Sequence, residues 1–292
     1  LKGGTLIDGS GGDVIRNAGV LISGDRIASV GPADTLEIPN GTKTIDVDGK
    51  TIMPGLIDAH MHFFGAKNLD FTQMALEPVE IRMGRALRDL EKLIDAGFTS
   101  VRDVGSPTGV YIKRLIAEGA FKGPHIKTSH HQLSQTGGHF DKHDLPLELN
   151  QFQVCDGVAE CTKRAREQFR KGADFIKICT TGGVFSVMDD PNWPQFTMDE
   201  IKAIVYEAEA VGSYVASHAQ GAQGIKNALA AGVKTIEHGI FIDDEGMEMM
   251  LNQSAILVPT LTVLHRVLSN PEGLPDYALE KAKRVDEIHK SN

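Results

Sequence analysis

The chain has 292 residues, of which 41% are hydrophobic and 24% charged, and a formal net charge of -9. That length can bury a large core, and one α/β barrel of this size is ordinary. The acidic balance, the absence of a Lys/Arg block and the lack of any apolar run near ~18 residues argue against nucleic-acid and membrane partners. Cys155, Cys161 and Cys179 form no Cys-x-x-Cys pair, which points to reduced thiols and a cytoplasmic setting. The first residue is Leu1 rather than Met, so a signal peptide, if one existed, would already be gone.

Residues 1–50 are short runs broken by Gly, Asn and Asp, namely Gly19 to Val30 and Lys43 to Gly49. They read as short strands with tight turns, such as Gly24-Asp25, in the N-terminal part of a small β domain. From residue 51 to 292 a phrase recurs: an amphipathic helix, a Gly-containing turn, a short apolar strand and a polar residue. The predicted helices lie near 80–96, 157–171, 198–211, 222–231, 244–252 and 276–290. Apolar strands follow them at 97–103, 172–179, 212–218, 232–238 and 254–259, and another spans about 124–129. Gly97, Gly172, Gly212 and Gly232 stand where a helix ends in a left-handed residue. Helices alternating with short apolar strands mean a parallel sheet, and the number of units predicts a TIM-type (β/α) barrel. An open doubly wound sheet is the alternative, but no Gly-x-Gly-x-x-Gly opens a first helix.

Polar residues fall late on these strands, at the end that carries the active site in such barrels. His60-Met61-His62 ends the run Thr51 to Ala59. Residues two apart on a strand point the same way, so the two imidazoles leave its tip side by side, placed to grip a metal ion. His218 and His238 end later strands and make a second pair, although each alone could be structural. Lys177 lies inside Phe175-Ile-Lys-Ile-Cys179, a strand that should be buried. Burial of a lone ammonium is costly and lowers its pKa, leaving a neutral amine able to take up CO2 as a carbamate. A carbamate could bridge two divalent ions. The alternative is an ordinary Lys paired with a carboxylate. His139 closes Leu133-Ser-Gln-Thr-Gly-Gly-His139, a loop at the barrel mouth. It suits contact with a substrate carbonyl or its oxyanion, or else merely orders its own backbone. Asp58 and Asp103 also fall late on strands. His125, His130, His131, His143, His265 and His289 have no comparable spacing and read as surface or packing residues. Arg102 and Lys142 are candidates for a substrate carboxylate.

Together, Pro54-Gly-Leu-Ile-Asp58-Ala-His60-Met-His62, Lys177, His218 and Ile236-Glu-His238-Gly resemble the amidohydrolase superfamily. Leu133 to His139 and Thr180-Thr-Gly-Gly-Val-Phe185 are similar to its imidazolonepropionase-related branch, which includes prolidase-like (Xaa-Pro dipeptidase) and ochratoxinase-like enzymes. The resemblance covers essentially all 292 residues. It implies two zinc ions, one on His60 and His62 and the other on His218 and His238, bridged by carboxylated Lys177 and a hydroxide. It also implies a composite β-sandwich domain built from residues on both sides of the barrel. The implied activity is hydrolysis of an amide bond, in a dipeptide or N-acyl amino acid, by metal-activated hydroxide. The family also places an Asp at the end of an eighth strand, where this chain has reached Asn292. Asp243, Asp244, Asp276 and Asp286 do not fit that position. The expectation is therefore a fragment of a longer enzyme, its barrel incomplete at the C-terminal end, with an exposed seam and little activity. Two other readings are a cyclic-amide hydrolase resembling imidazolonepropionase and a non-catalytic scaffold. A small amide or dipeptide is the expected partner, and a homo-oligomer stays open.

Overall fold

The structure is a computed structural model. It describes residues 1–292 apart from 69, 143–144, 147–152, 273 and 290–292, so His143 lies outside the described residues. The chain divides into two compact units, Leu1–Leu56 and Ile57–Asn292.

The first unit holds β1 (Lys2–Leu6), β2 (Ile15–Ser23), β3 (Arg26–Pro32) and β4 (Thr51–Ile52) in the sheet order β3-β2-β1-β4. The turn at Gly24-Asp25 joins β2 to its antiparallel neighbour β3, with Gly24 at φ 63°. Leu6, Ala18 and Val20 form its small core. Because β4 pairs with β1, this unit runs past the expected boundary at residue 50.

The second unit opens with β5 (Leu56–Met61), α1 (Phe71–Leu76), α2 (Val79–Asp95), β6 (Phe98–Asp103) and α3 (Gly109–Ala117). It continues with β7 (His125–Thr128), β8 (Gln132–Ser134), β9 (Gln153–Val154), α4 (Gly157–Arg170), β10 (Ile176–Cys179) and α5 (Met198–Ala210). Then follow β11 (Val215–Ala219), α6 (Ala222–Ala230), β12 (Thr235–His238), α7 (Asp244–Gln253), β13 (Ile256–Val258), α8 (Leu261–Ser269) and α9 (Asp276–His289). Each predicted helix has a counterpart within about a residue at each end, the usual scatter of helix boundaries. Gly97, Gly172, Gly212 and Gly232 all have φ between 70° and 100°, the left-handed stop that the spacing requires. Helices α1, α3 and α8 were not anticipated.

The strands form two sheets, β5-β6-β7 and β13-β12-β11-β10-β8-β9. Neighbours from β8 to β13 pair in parallel, as do β6 and β7. The strand expected at about 124–129 is β7, and a further short strand, β8, follows it. The chain turns between them at His130, whose φ is 60°, so β7 serves one sheet and β8 the other. Side chains of β5 and β6 reach β12 across the interior: His60 meets Glu237, and Arg102 meets Thr235 and Glu237. This is the alternating α/β pattern of a TIM-type barrel, but the described strands do not close. Edge strands β5 and β13 leave Ile57, Ile256 and Leu257 exposed.

Helix packing follows from residue spacing. Arg82, Ala86 and Leu90 make the buried stripe of α2, four apart as one helix face requires. Thr197 and Glu200 cap α5 reciprocally, and Ile201, Ile204 and Ala208 then face the sheet. Gly224 lets α6 sit against the end of β10, since a Cβ there would meet Thr180 O at 2.4 Å. Ile204 is fully buried in the main core. Ile204→Ala should cost about 2–5 kcal/mol of stability, read as a lower urea midpoint with an unchanged slope.

Candidate functional site

His60 is near the end of β5, and His62 follows one residue beyond the strand. Lys177 is on β10, His218 on β11 and His238 on β12. Their rings form a connected series. Centroids are 5.3 Å apart for His60 and His62, 4.8 Å for His60 and His238, and 4.7 Å for His238 and His218. His139 extends the series by stacking on His218 at 4.1 Å. The six residues picked from the sequence therefore lie in one region of the structure.

His238 joins through an unusual backbone. Side-chain alternation would send Glu237 and His238 to opposite faces of β12, yet both approach His60. His238 has φ 75°, a left-handed value that costs a non-Gly residue of order 1–3 kcal/mol. That turn swings its ring back into the interior.

One nitrogen of each ring is committed to the protein. His60 Nδ1 donates to Glu237 Oε2 at 2.7 Å and His62 Nδ1 donates to Gly105 O at 2.8 Å. His218 Nε2 donates to Gly182 O at 3.0 Å, and His238 Nδ1 faces Thr260 Oγ1 at 2.7 Å. These contacts set the ring orientations and leave the opposite nitrogen of each for a ligand. Burial lowers the pKa of all four, to about 3 for His62 and well below the usual value for His218 and His238. The imidazoles are neutral, with lone pairs ready to bind.

Lys177 is 1% exposed, and its Nζ is buried without a hydrogen-bond partner. Burial pushes its pKa down to about 8, against the attraction of Glu237. Among the described residues no carboxylate is hydrogen-bonded to Lys177, although the charge of Glu237 acts on it. Glu237 itself is fully buried. Burial alone would raise its pKa, but the Lys177 charge, the His60 hydrogen bond and the Arg102 charge hold it well below the usual carboxylate range.

Two polar positions turn elsewhere. Arg102 donates to Ala59 O, Thr235 Oγ1 and Glu237 Oε1, with its guanidinium 4.9 Å from the Phe175 ring centre. It is a structural cation locked beneath the imidazoles, so it is not placed to bind a substrate carboxylate. Asp103 accepts from Ser106, Thr128 and the Gly105 N–H, away from the rings, and burial raises its pKa to about 7. Of the remaining histidines, His130 and His131 are buried and packed together, whereas His125 and His265 are exposed. Glu237, Thr260 and Gly105 had no spacing signal in the sequence. Glu237 could have been noticed as a carboxylate inside a short strand, directly before His238.

A cavity of about 790 Å³ lies over the rings. Phe64, Phe71 and Phe185 form an aromatic wall, and the Lys142 ammonium sits 4.8 Å from the Phe71 ring centre. Loop 180–195 packs on the His139 side. His139 Nδ1 meets Ser186 Oγ at 2.8 Å, the His139 backbone N–H donates to Gln195 Oε1, and Gly183 lies over the ring. Lys281 of α9 anchors this loop by donating to Gly183 O, Ser186 O and Asp189 O.

Among the described residues, no three His, Cys, Asp or Glu side chains already form a tight metal-binding group. The donor chemistry nonetheless fits divalent ions: neutral imidazoles with outward-facing lone pairs surround a buried amine lacking a partner. An α/β fold of TIM-barrel type with such a site defines a class of metal-dependent proteins. A family model for the amidohydrolase family matches residues 51–288, and the chain belongs to that family, which generally uses divalent metals. Ochratoxinase of Aspergillus niger is 35% identical over 312 residues, covering 98% of this chain and 64% of the relative. The chain therefore spans under two thirds of that relative's length. The crystal structure of a prolidase complexed with N-methylphosphonate-L-proline is 36% identical with a TM-score of 0.90, covering 100% of this chain and 75% of the other. A Xaa-Pro dipeptidase with bound methionine is 32% identical with a TM-score of 0.87, covering 99% and 74%. Among the described residues, no helix is long and apolar enough to cross a membrane.

A Cβ on Gly183 would come within 2.1 Å of the His139 ring. Gly183→Ala should displace that ring from its stack on His218 and lower activity by up to about 100-fold, with the fold retained by circular dichroism.

Proposed function

We propose that this chain carries the metal-binding barrel of an amidohydrolase that cleaves the amide bond of a dipeptide or N-acyl amino acid. The observation that carries the reading is the buried, partnerless amine of Lys177 among four neutral imidazoles. His60 and His62 would hold one zinc or similar divalent ion and His218 and His238 a second, with Lys177, once carboxylated, as a further ligand. When bound, such ions would supply Lewis acidity and lower the pKa of water.

The chain's own residues do the rest. Glu237, Gly105 and Gly182 hold three of the imidazoles as fixed tautomers, and Thr260 orients the fourth. The lowered pKa of Lys177 supplies the neutral amine that carbamate formation needs. The aromatic wall excludes water from the reacting bond and accepts an apolar substrate group. Lys142 lines the cavity and suits the free carboxylate beside the amide. His139 flanks the reacting bond.

His60→Ala and His218→Ala should each lose metal and hydrolysis of N-acyl amino acids together, measured by elemental analysis and amine release. Full activity in chain that holds no metal would sink the reading. Dipeptides and N-acyl amino acids should also be cleaved in preference to lactam rings.

Lys177 adds a pH signature. Its pKa is about 8 in the folded metal-free chain, against an ordinary 10.5. Between those values the unfolded chain holds more protons than the folded one, so this residue makes stability rise with pH across that window. The burial penalty is fully present below about 8 and is relieved as pH approaches 10.5. Lys177→Met should flatten that part of the stability profile, measured by urea unfolding of metal-free chain.

A further inference from the structure

Asp189 lies behind His139 in loop 180–195. Its side chain is 3% exposed, and its Oδ2 lies 3.9 Å from His139 Nδ1. Ser186 stands between them. Its Oγ contacts Asp189 Oδ1 and is 2.8 Å from His139 Nδ1. Other donors converge on the same carboxylate: Gln195 Nε2 reaches Oδ2 at 3.0 Å, and Lys281 Nζ reaches Oδ1 at 3.3 Å.

These contacts fix the direction of the hydrogen bonds. A carboxylate with an ammonium beside it is an acceptor only, so the single hydroxyl hydrogen of Ser186 is given to Asp189. Ser186 Oγ must then accept from His139, which places the imidazole hydrogen on Nδ1. In a neutral ring the other nitrogen, Nε2, carries a lone pair and no hydrogen.

We propose that Ser186 and Asp189 are positioning residues that hold His139 as its Nδ1–H tautomer, so that Nε2 meets substrate as a hydrogen-bond acceptor. This rests on the reading of the cavity as an amidase site, and it changes the part His139 plays there. A polarised carbonyl oxygen needs a donor, which this tautomer does not offer. The matching substrate group is an N–H or a water hydrogen. The logic is that of a carboxylate orienting a histidine through its far nitrogen, with one hydroxyl interposed. Lys281 completes the device by tying the loop to α9.

The test reads the tautomer directly, in full-length chain without substrate. Long-range proton–nitrogen NMR spectra of nitrogen-15-labelled protein, with the His139 signals assigned from His139→Gln, should show Nδ1 protonated and Nε2 bare. An Nε2–H tautomer in the unaltered chain would overturn the proposal. Ser186→Ala should move the equilibrium toward Nε2–H, and Ser186→Thr, which keeps the hydroxyl, should restore it. An unchanged tautomer in Ser186→Ala would also count against the relay. In turnover, Ser186→Ala should lower kcat by about 10- to 100-fold with little change in KM, a split that simple loop loosening would not produce. If no dipeptide or N-acyl amino acid is cleaved, the assigned activity fails, while the tautomer measurement still decides the relay.

Discussion

The interior of the second unit is organised around one buried carboxylate. Glu237 accepts from His60 on β5, from Arg102 on β6 and from Thr235 on its own strand. The nearby Lys177 charge lowers its pKa. Two sheets that share no ladder are thereby joined through side chains. A fully buried ion pair is weak evidence for added stability, because desolvation offsets most of its attraction, but breaking one side is costly. Here the carboxylate also fixes a ring tautomer and counters a buried ammonium. Arg102 completes it by lying against the faces of Phe175 and Tyr214, which shelter most of a cation that stays 12% exposed.

Around that centre, backbone strain is placed where side chains must be redirected. His238 and Thr260 both adopt left-handed φ values, 75° and 52°, and the two side chains meet at 2.7 Å. His130 does the same where β7 gives way to β8. Such conformations persist only when their surroundings over-determine them. At His238 the deviation lets a short strand deliver a residue that regular alternation would misdirect.

Much of this was legible from residue order, and most of the rest was hidden for identifiable reasons. The helices carried a clear period and Gly stops, so α2, α4, α5, α6, α7 and α9 could be placed. Helix α1, at six residues, is too brief for periodicity to stand out, whereas α3 and α8 have nine residues each, as many as α6, so their length does not account for their being missed. His60 and His62 were readable because strand alternation is strict. His238 was found only as a strand-end residue, since its face depends on a φ value invisible in composition. Arg102 looked available because nothing local announces Glu237, 135 residues away. Asp189 and Ser186 escaped notice for the same reason: their meaning lies in what the fold brings beside His139.

The anchoring of loop 180–195 has a consequence for how the molecule assembles. Lys281 reaches carbonyls 92 to 98 residues earlier in the chain, so during synthesis it emerges after every described strand and after the loop it anchors. The strands that carry the imidazoles are made before α9, whereas Lys281 can anchor the wall behind His139 only once α9 is present. Anchoring of this loop therefore follows synthesis of all the described strands. A ribosome that has released only the strands has made the cradle without its latch.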